Sequence, residues 1–298
     1  MSQRWAVETE ALSKSYGAVD AVRRLTMRIA EGGITGFLGR NGAGKSTTVR
    51  MLLGVCHPTS GTARVLNRSV TVPRENLDAR RRIAYVAEDK QTYGFMTVRQ
   101  MIAFTRDFYT DWRPDVERRL VETFDLPLDR KVKTLSKGTR TKLALLLALA
   151  RRPELLILDE PTEGLDPASI EELLRLLVTA AADGTTVLFS SHQIADVERI
   201  ADHVCILETG RLALDIPLDR VRQHYRRISL GFAAEPPQFP FAVSAGSLHI
   251  DGRQLTVTTT QDADAILAWA RHVGAASIQS APITLREVFL DTVSEPRP

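Results

Sequence analysis

Short, almost wholly apolar runs recur along the first 220 residues, separated by longer amphipathic stretches. Ile34–Leu38, Leu155–Leu158, Thr186–Phe189 and Val204–Leu207 lack the polar alternation of a half-exposed strand and predict strands buried on both faces. The sequence predicts helices between them. One runs over Ser46–Leu53. Another spans Pro167–Ala182, entered through Leu165-Asp166-Pro167 and closed at Asp183-Gly184. Arg80–Val86 leads into a further strand, and residues 97–150 read as mainly helical. Thr97-Val-Arg-Gln100 has the form of a capping box that starts a helix at Val98. Leu135-Ser-Lys-Gly138 introduces a long apolar helix through Ala150, closed by Arg151-Arg152-Pro153. His57-Pro-Thr-Ser-Gly61 is a turn cluster. Buried strands joined by helices predict an α/β fold with a parallel sheet.

The texture changes after about residue 223. Glu235-Pro-Pro-Gln-Phe-Pro240 is rich in breakers, and Leu248–Ile250, Asp251-Gly252 and Leu255–Thr258 read as a β-hairpin. Asp262–Val273 reads as a helix, Ala276–Gln279 as a strand and Leu285–Val293 as a last helix. The expected organisation is a large domain over 1–222 and a small α+β domain over 223–298, with a helical subdomain over about 90–152 in the first.

Composition narrows the class only modestly. The 298 residues are 44% hydrophobic and 25% charged, enough apolar content for sizeable cores. The net charge of +3 makes no demand for a nucleic acid partner. Cys56 and Cys205 are too far apart for a disulfide framework or a paired-cysteine metal knuckle, and read as two buried thiols of a reducing compartment. The charged N-terminus does not read as a secretory leader, and the longest apolar run, Leu143–Ala150, is far short of the roughly 20 residues of a membrane span.

The chemistry concentrates in two places. Gly39-Arg40-Asn41-Gly42-Ala43-Gly44-Lys45-Ser46 follows a predicted strand, opens a helix and fits G-x-x-x-x-G-K-[ST]. Such a loop turns backbone N–H groups inward around phosphates, with Lys45 reaching the β- and γ-phosphates and the Ser46 hydroxyl available to Mg2+; Thr47 continues the site. Leu155-Leu-Ile-Leu-Asp159-Glu160 is an apolar strand ending in two carboxylates. Asp159 at the sheet's C-terminal edge suits Mg2+, and Glu160 suits a general base for water. Ser136 and Gly138 could donate to phosphate at a helix N-terminus, though Ser136 also reads as an ordinary N-cap. His192, in Ser190-Ser191-His192 after the next strand, could hydrogen-bond a γ-phosphate or be an unremarkable histidine.

Taken in order, these pieces resemble the nucleotide-binding subunit of ATP-binding cassette (ABC) transporters, over roughly residues 4–222. The resemblance implies a P-loop NTPase: a RecA-like core with an antiparallel β subdomain and a helical subdomain. It implies that Leu135–Gly138 is the signature motif, Gly164-Leu165-Asp166 the D-loop that communicates across a dimer, His192 the switch histidine, and Tyr16 the ring stacked on adenine. It further implies ATP and Mg2+, and a homo- or heterodimer in which Ser136 and Gly138 act in trans. A separate multi-span membrane permease would be driven by closure of that dimer, placing the chain at the cytoplasmic face of the membrane. Leu285-Arg-Glu-Val-Phe-Leu290 resembles the ending of subunits from drug- and antibiotic-exporter systems, so an exporter is expected. The alternative is a cassette ATPase acting on ribosomes or nucleic acid, but one cassette without a coiled-coil arm or cysteine cluster makes nucleic acid an unexpected partner.

Two positions depart from that pattern. Glu88 stands where the family usually has a Mg2+-contacting Gln; a carboxylate still ligates but cannot donate. The signature reads Ser136-Lys137-Gly138-Thr139 in place of Ser-Gly-Gly-Gln. Tyr93, Phe95, Phe104, Phe108, Tyr109 and Trp112 read chiefly as the helical subdomain's own core, with Tyr93 or Phe95 as exposed contacts for a membrane partner.

Overall fold

Two twelve-residue strands begin the fold: β1 (Trp5–Tyr16) and β2 (Val19–Ala30) pair antiparallel. In the computed structural model, which describes residues 4–89, 92–242, 248–259 and 263–294, this hairpin bears Ala6, Val7, Leu12, Val22, Leu25, Met27 and Ile29 on its buried positions. The chain continues through β3 (Ile34–Leu38), α1 (Lys45–Leu52), β4 (Ser60–Val65), β5 (Arg68–Ser69), α2 (Pro73–Arg82) and β6 (Ile83–Val86). Three helices follow, α3 (Val98–Arg106), α4 (Pro114–Thr123) and α5 (Lys137–Leu149). Then come β7 (Leu155–Asp159), α6 (Pro167–Ala182), β8 (Thr186–Ser191), α7 (Ile194–Ile200), β9 (His203–Glu208) and β10 (Arg211–Pro217).

Two sheets result. One has the order β2-β1-β4-β5, the other β10-β9-β3-β8-β7-β6. In the second, β3 runs parallel to β8 and β9, and β7 parallel to β6 and β8. Its strands β3, β7 and β8 are buried along their whole length, as their unbroken apolar runs require. One core joins the two sheets, with Met27, Phe37, Met51, Leu52, Ile157, Leu188 and Leu207 among its members. The register aligns Leu38 with Ser191, Asp159 with Ser190 and Val86 with Leu158. The segments leaving β3, β6, β7 and β8 therefore emerge from one sheet edge.

The predicted strands are all present. The Thr97 capping box is formed: Thr97 Oγ1 accepts from the Gln100 N–H at 3.2 Å, and Gln100 Oε1 accepts from the Thr97 N–H at 2.9 Å. Arg80–Arg82, read as an approach to a strand, instead finish α2, which has Pro73 in its first turn, Glu75 near its start and three arginines at its end. Residue 90, where the helical subdomain was expected to start, lies outside the described residues.

The chain divides into two units, Met1–Asp215 and Ile216–Pro298. The second contains α8 (Leu218–His224), β11 (Arg226–Gly231), β12 (Leu248–Asp251), β13 (Gln254–Thr259), α9 (Ala263–His272), β14 (Ser277–Pro282) and α10 (Leu285–Ser294). Its antiparallel sheet has the order β12-β13-β11-β14. Ile228, Leu230, Leu255 and Val257 alternate into a core with Ile266 and Ala270 of α9. The breaker-rich segment contributes Phe239, whose ring lies 5.4 Å edge-on from Trp269. Asp262, the expected start of α9, lies outside the described residues. Among the described residues no helix is long and apolar enough to cross a membrane.

Gly36 on β3 shows how tightly α7 lies on the sheet: a Cβ there would come within 2.1 Å of Val197 Cγ1. Gly36→Ala should therefore overpack the core and cost about 1–3 kcal/mol, read as a lower Tm; an unchanged Tm would contradict this packing.

Candidate active site

The loop between β3 and α1 needs glycine at two positions where the backbone leaves no room. A Cβ on Gly39 would lie 2.6 Å from the Leu207 carbonyl oxygen. Gly44 has φ 105, with the Ala21 carbonyl oxygen 2.4 Å from where its Cβ would stand. The loop is pinned by the Gly210 N–H donating to the Ala43 carbonyl at 3.0 Å and by the Thr48 hydroxyl donating to Gly44 O at 3.0 Å. Lys45, first residue of α1, folds its side chain back so that Nζ donates to Gly39 O at 2.7 Å. The same ammonium lies 3.2 Å from Glu160 Oε1, and both side chains are buried.

Glu160 is held in an unusual way. Its φ of 47 is left-handed, a conformation costly for a residue with a side chain. Its N–H donates to Ser190 O at 3.0 Å, tying it to β8. Oε2 accepts from the His192 N–H at 3.1 Å and lies 2.8 Å from His192 Nδ1. Glu160 thus stands between Lys45 and His192. Asp159 is only 3% exposed, and its Oδ1 has no hydrogen-bond partner among the described residues. Burial, and after it the Asp159 charge, push the nearby Tyr85 phenol up to about 12.

Arg40, Asn41, Gly42, Gly44, Lys45, Ser46, Thr47, Glu88, Glu160, Glu163 and His192 line one cavity of about 360 Å³. Ser46, Glu88 and Asp159 also line an adjoining cleft of about 670 Å³, whose other walls include Tyr85, Met101 and Arg151. Ser46 and Glu88 belong to both.

Glu163 was not among the candidates, yet the two departures in sequence meet on it. Glu88 has its carboxyl pushed up by burial, by a hydrogen bond with Glu163, and by the charges of Glu163, Asp159 and Glu160. Lys137 Nζ lies 3.9 Å from Glu163 Oε2. Two carboxyl groups in contact need a shared proton or a nearby cation, and Lys137 supplies a cation. No local pattern announces this, because the three residues come from three separate segments.

Other candidates lie apart from that cavity's lining. Ser136 caps α5, accepting from the Thr139 N–H at 3.1 Å and bonding Thr139 Oγ1 at 2.9 Å; Gly138 sits in the same first turn. Asp166 caps α6, accepting from the Ser169 N–H at 3.0 Å and Oγ at 2.7 Å, and these bonds hold its carboxyl below the usual range. Tyr16 is 48% exposed, with the Lys14 ammonium 5.0 Å from its ring centroid. Its hydroxyl lies 3.3 Å from Cys56 Sγ, so Cys56 is half-buried and engaged at the surface, contrary to the expectation of two buried thiols. The aromatic cluster departs from expectation at Phe108, which was read as core, while Tyr93 and Phe95 are exposed as the contact reading allowed. Trp112 is buried, but Tyr93, Phe95 and Phe108 are exposed and form a chain through Phe104, with ring centroids 5.1–5.9 Å apart.

The ABC transporter family profile matches residues 22–163. The bacitracin transport ATP-binding protein BcrA of Bacillus licheniformis is 36% identical over 224 residues, covering 74% of this chain and 72% of that protein. The ABC transporter ATP-binding protein YtrB of Bacillus subtilis is 28% identical over 291 residues, 95% of this chain and 97% of its own length. A solved ATP-binding subunit of an ABC transporter superposes with a TM-score of 0.66 at 31% identity, covering 73% of this chain and 92% of that one.

The contact between Glu88 and Glu163 has a measurable consequence. A carboxyl whose ionisation the fold opposes weakens the fold as pH rises from the ordinary carboxylate range through its raised value, and the penalty persists above it. Glu88→Gln removes that charge and adds a donor toward Glu163. It should raise Tm at about pH 7–8 and lose the advantage below about pH 4. A Tm difference that does not change with pH would contradict the contact.

Proposed function

Since this chain belongs to the family of ABC transporter ATP-binding subunits and is an ATPase, we propose that its cavity at the sheet edge is the catalytic ATP site and that its turnover drives an exporter. The observation that carries this reading is the buried Lys45–Glu160 pair, with the exposed His192 bonded to Glu160, beside a glycine loop without room for side chains. Backbone N–H groups of residues 40–46 surround the phosphates at the start of α1. Lys45 exchanges Gly39 O and Glu160 for β- and γ-phosphate oxygens. Glu160, released from the ammonium, accepts a proton from the attacking water. His192 keeps Glu160 oriented through Nδ1 and presents its other ring nitrogen to the γ-phosphate. Tyr16 offers an exposed ring face to adenine.

The donor set fits Mg2+. The unpartnered, buried Asp159 Oδ1, the Ser46 hydroxyl and the Glu88 carboxylate are all hard oxygen donors around one cleft. When bound, Mg2+ neutralises charge on the phosphates.

A second subunit completes the site. Ser136 and Gly138, at the start of α5, meet the phosphates of a facing subunit, and Asp166 communicates between the two halves; the pair is a homodimer or a heterodimer. The membrane subunit is a separate multi-span permease that meets the helical segment, where Tyr93, Phe95 and Phe108 are exposed. On this reading the chain works at the cytoplasmic face of the membrane. The similarity to a bacitracin transport protein supports export, and the match to YtrB along nearly the whole chain supports treating the second unit as an accessory domain of such subunits.

Lys45→Ala should weaken ATP binding at least about 10-fold, as expected when a cation is removed from a phosphate site, and undiminished affinity would contradict the assigned site. Purification from the native host in mild detergent should bring along a multi-span membrane protein. Ribosomes or DNA in its place would overturn the transport reading.

A further inference from the structure

Away from the ATP site, one cluster brings together three different metal-binding donors. His203, Cys205 and Asp215 each direct a donor atom to one spot, all within 4.8 Å of one another. His203 and Cys205 stand two apart on β9, so the strand's period of two carries both side chains to the same face. Asp215 comes from β10, the neighbouring edge strand. Asp215 Oδ1 bonds His203 Nε2 and lies 3.5 Å from Cys205 Sγ. The Cys205 side chain is fully buried, while those of His203 and Asp215 are 32% and 33% exposed. The cluster therefore has a dry side, which protects a sulfur ligand, and a wet side, through which an ion can enter.

We infer that His203, Cys205 and Asp215 form a binding site for a zinc-class divalent ion, with water as the fourth ligand. The donor chemistry selects the class. An imidazole nitrogen, a thiolate and one carboxylate oxygen suit a borderline-soft ion and disfavour Mg2+ or Ca2+, which take all-oxygen shells. The spacing agrees. A tetrahedral ion with bonds of about 2.0–2.3 Å holds its ligand atoms roughly 3.3–3.6 Å apart, and the sulfur–carboxylate separation already has this value. The His203–Asp215 contact must open and the His203–Cys205 separation, within 4.8 Å, must settle to this spacing; His203 and Asp215, which would move, both lie at the exposed edge. Three protein ligands leave one position for solvent.

The site also has a defined place in the chain. Asp215 is the last residue of the first unit. A bound ion would clamp β10 to β9 at the point where the chain leaves the ATPase unit. The paired-cysteine test applied to the sequence overlooks this arrangement, because only one ligand is a cysteine and the third comes from the next strand.

Cobalt(II) titration of the chelator-treated full-length protein tests the inference. Thiolate ligation gives Co2+ a charge-transfer absorption that the hydroxyl and carboxylate oxygens of the ATP site cannot give. One Co2+ per chain should produce that band, and Zn2+ should displace it. Cys205→Ser should abolish the band and Cys56→Ser should preserve it. Asp215→Asn, which keeps both thiols, should weaken Co2+ binding at least about 10-fold; retained ATP binding verifies that each variant is folded. No thiolate band in the wild type, a band that survives Cys205→Ser, or affinity unchanged in Asp215→Asn would overturn the site and leave only a His203–Asp215 ion pair. Because ATP binding is measured on the same samples, failure of this site is distinguishable from failure of the ATP site.

Discussion

A buried ammonium beside a buried carboxylate is the constraint around which the first unit is arranged. Neither charge is tolerable alone in that environment, so Lys45 and Glu160 must be brought together accurately. Lys45 is placed by the glycine loop and the first turn of α1. Glu160 is placed by the end of β7 and by its backbone bond to Ser190 of β8. The parallel register of β3, β8 and β7 is what makes these two placements coincide. Glu160 also takes a left-handed backbone conformation to reach the position, local strain of about 1–3 kcal/mol held at the site by the surrounding sheet.

The constraint also explains the way the site is wired. Glu160 joins Lys45 to His192, so the end of β7, the start of α1 and the end of β8 meet through one side chain. A phosphate that attracts Lys45 necessarily changes the company Glu160 keeps. Glu163, three residues further on, reaches in the other direction toward Glu88 and Lys137. The two residues that depart from the family pattern thus share one neighbour. The carboxyl of Glu88 and the cation of Lys137 both border Glu163.

Much of this was legible in sequence because it rests on local rules. Unbroken apolar runs marked β3, β7, β8 and β9, and Gly39–Ser46 marked the loop. Thr97 and Gln100 marked a helix start through a bond pattern that spans only four residues. What escaped depended on contacts between distant segments. Glu163 gains its role from Glu88 and Lys137, and Cys56 from Tyr16. Gly36 matters because α7 presses on β3, which the strand's own sequence cannot say. Phe108 escaped because aromatic content alone does not reveal which side of a helical segment is covered, whereas Tyr93 and Phe95 are exposed as the contact reading allowed. Ser136 and Asp166 read two ways in sequence, and within one chain both act as helix caps. The further roles proposed for them involve a facing subunit.

The proposed division of labour has Glu160 perform the proton transfer for ATP hydrolysis while Lys45 and the loop bind the nucleotide. Replacing Glu160 by Gln keeps the size and polarity of the side chain but removes its basicity. The most direct measurement is ATP affinity and steady-state turnover of Glu160→Gln side by side. ATP affinity within a few-fold of wild type, with turnover reduced at least about 100-fold, is the predicted result. Unchanged turnover in a variant that binds ATP normally would contradict that role for Glu160.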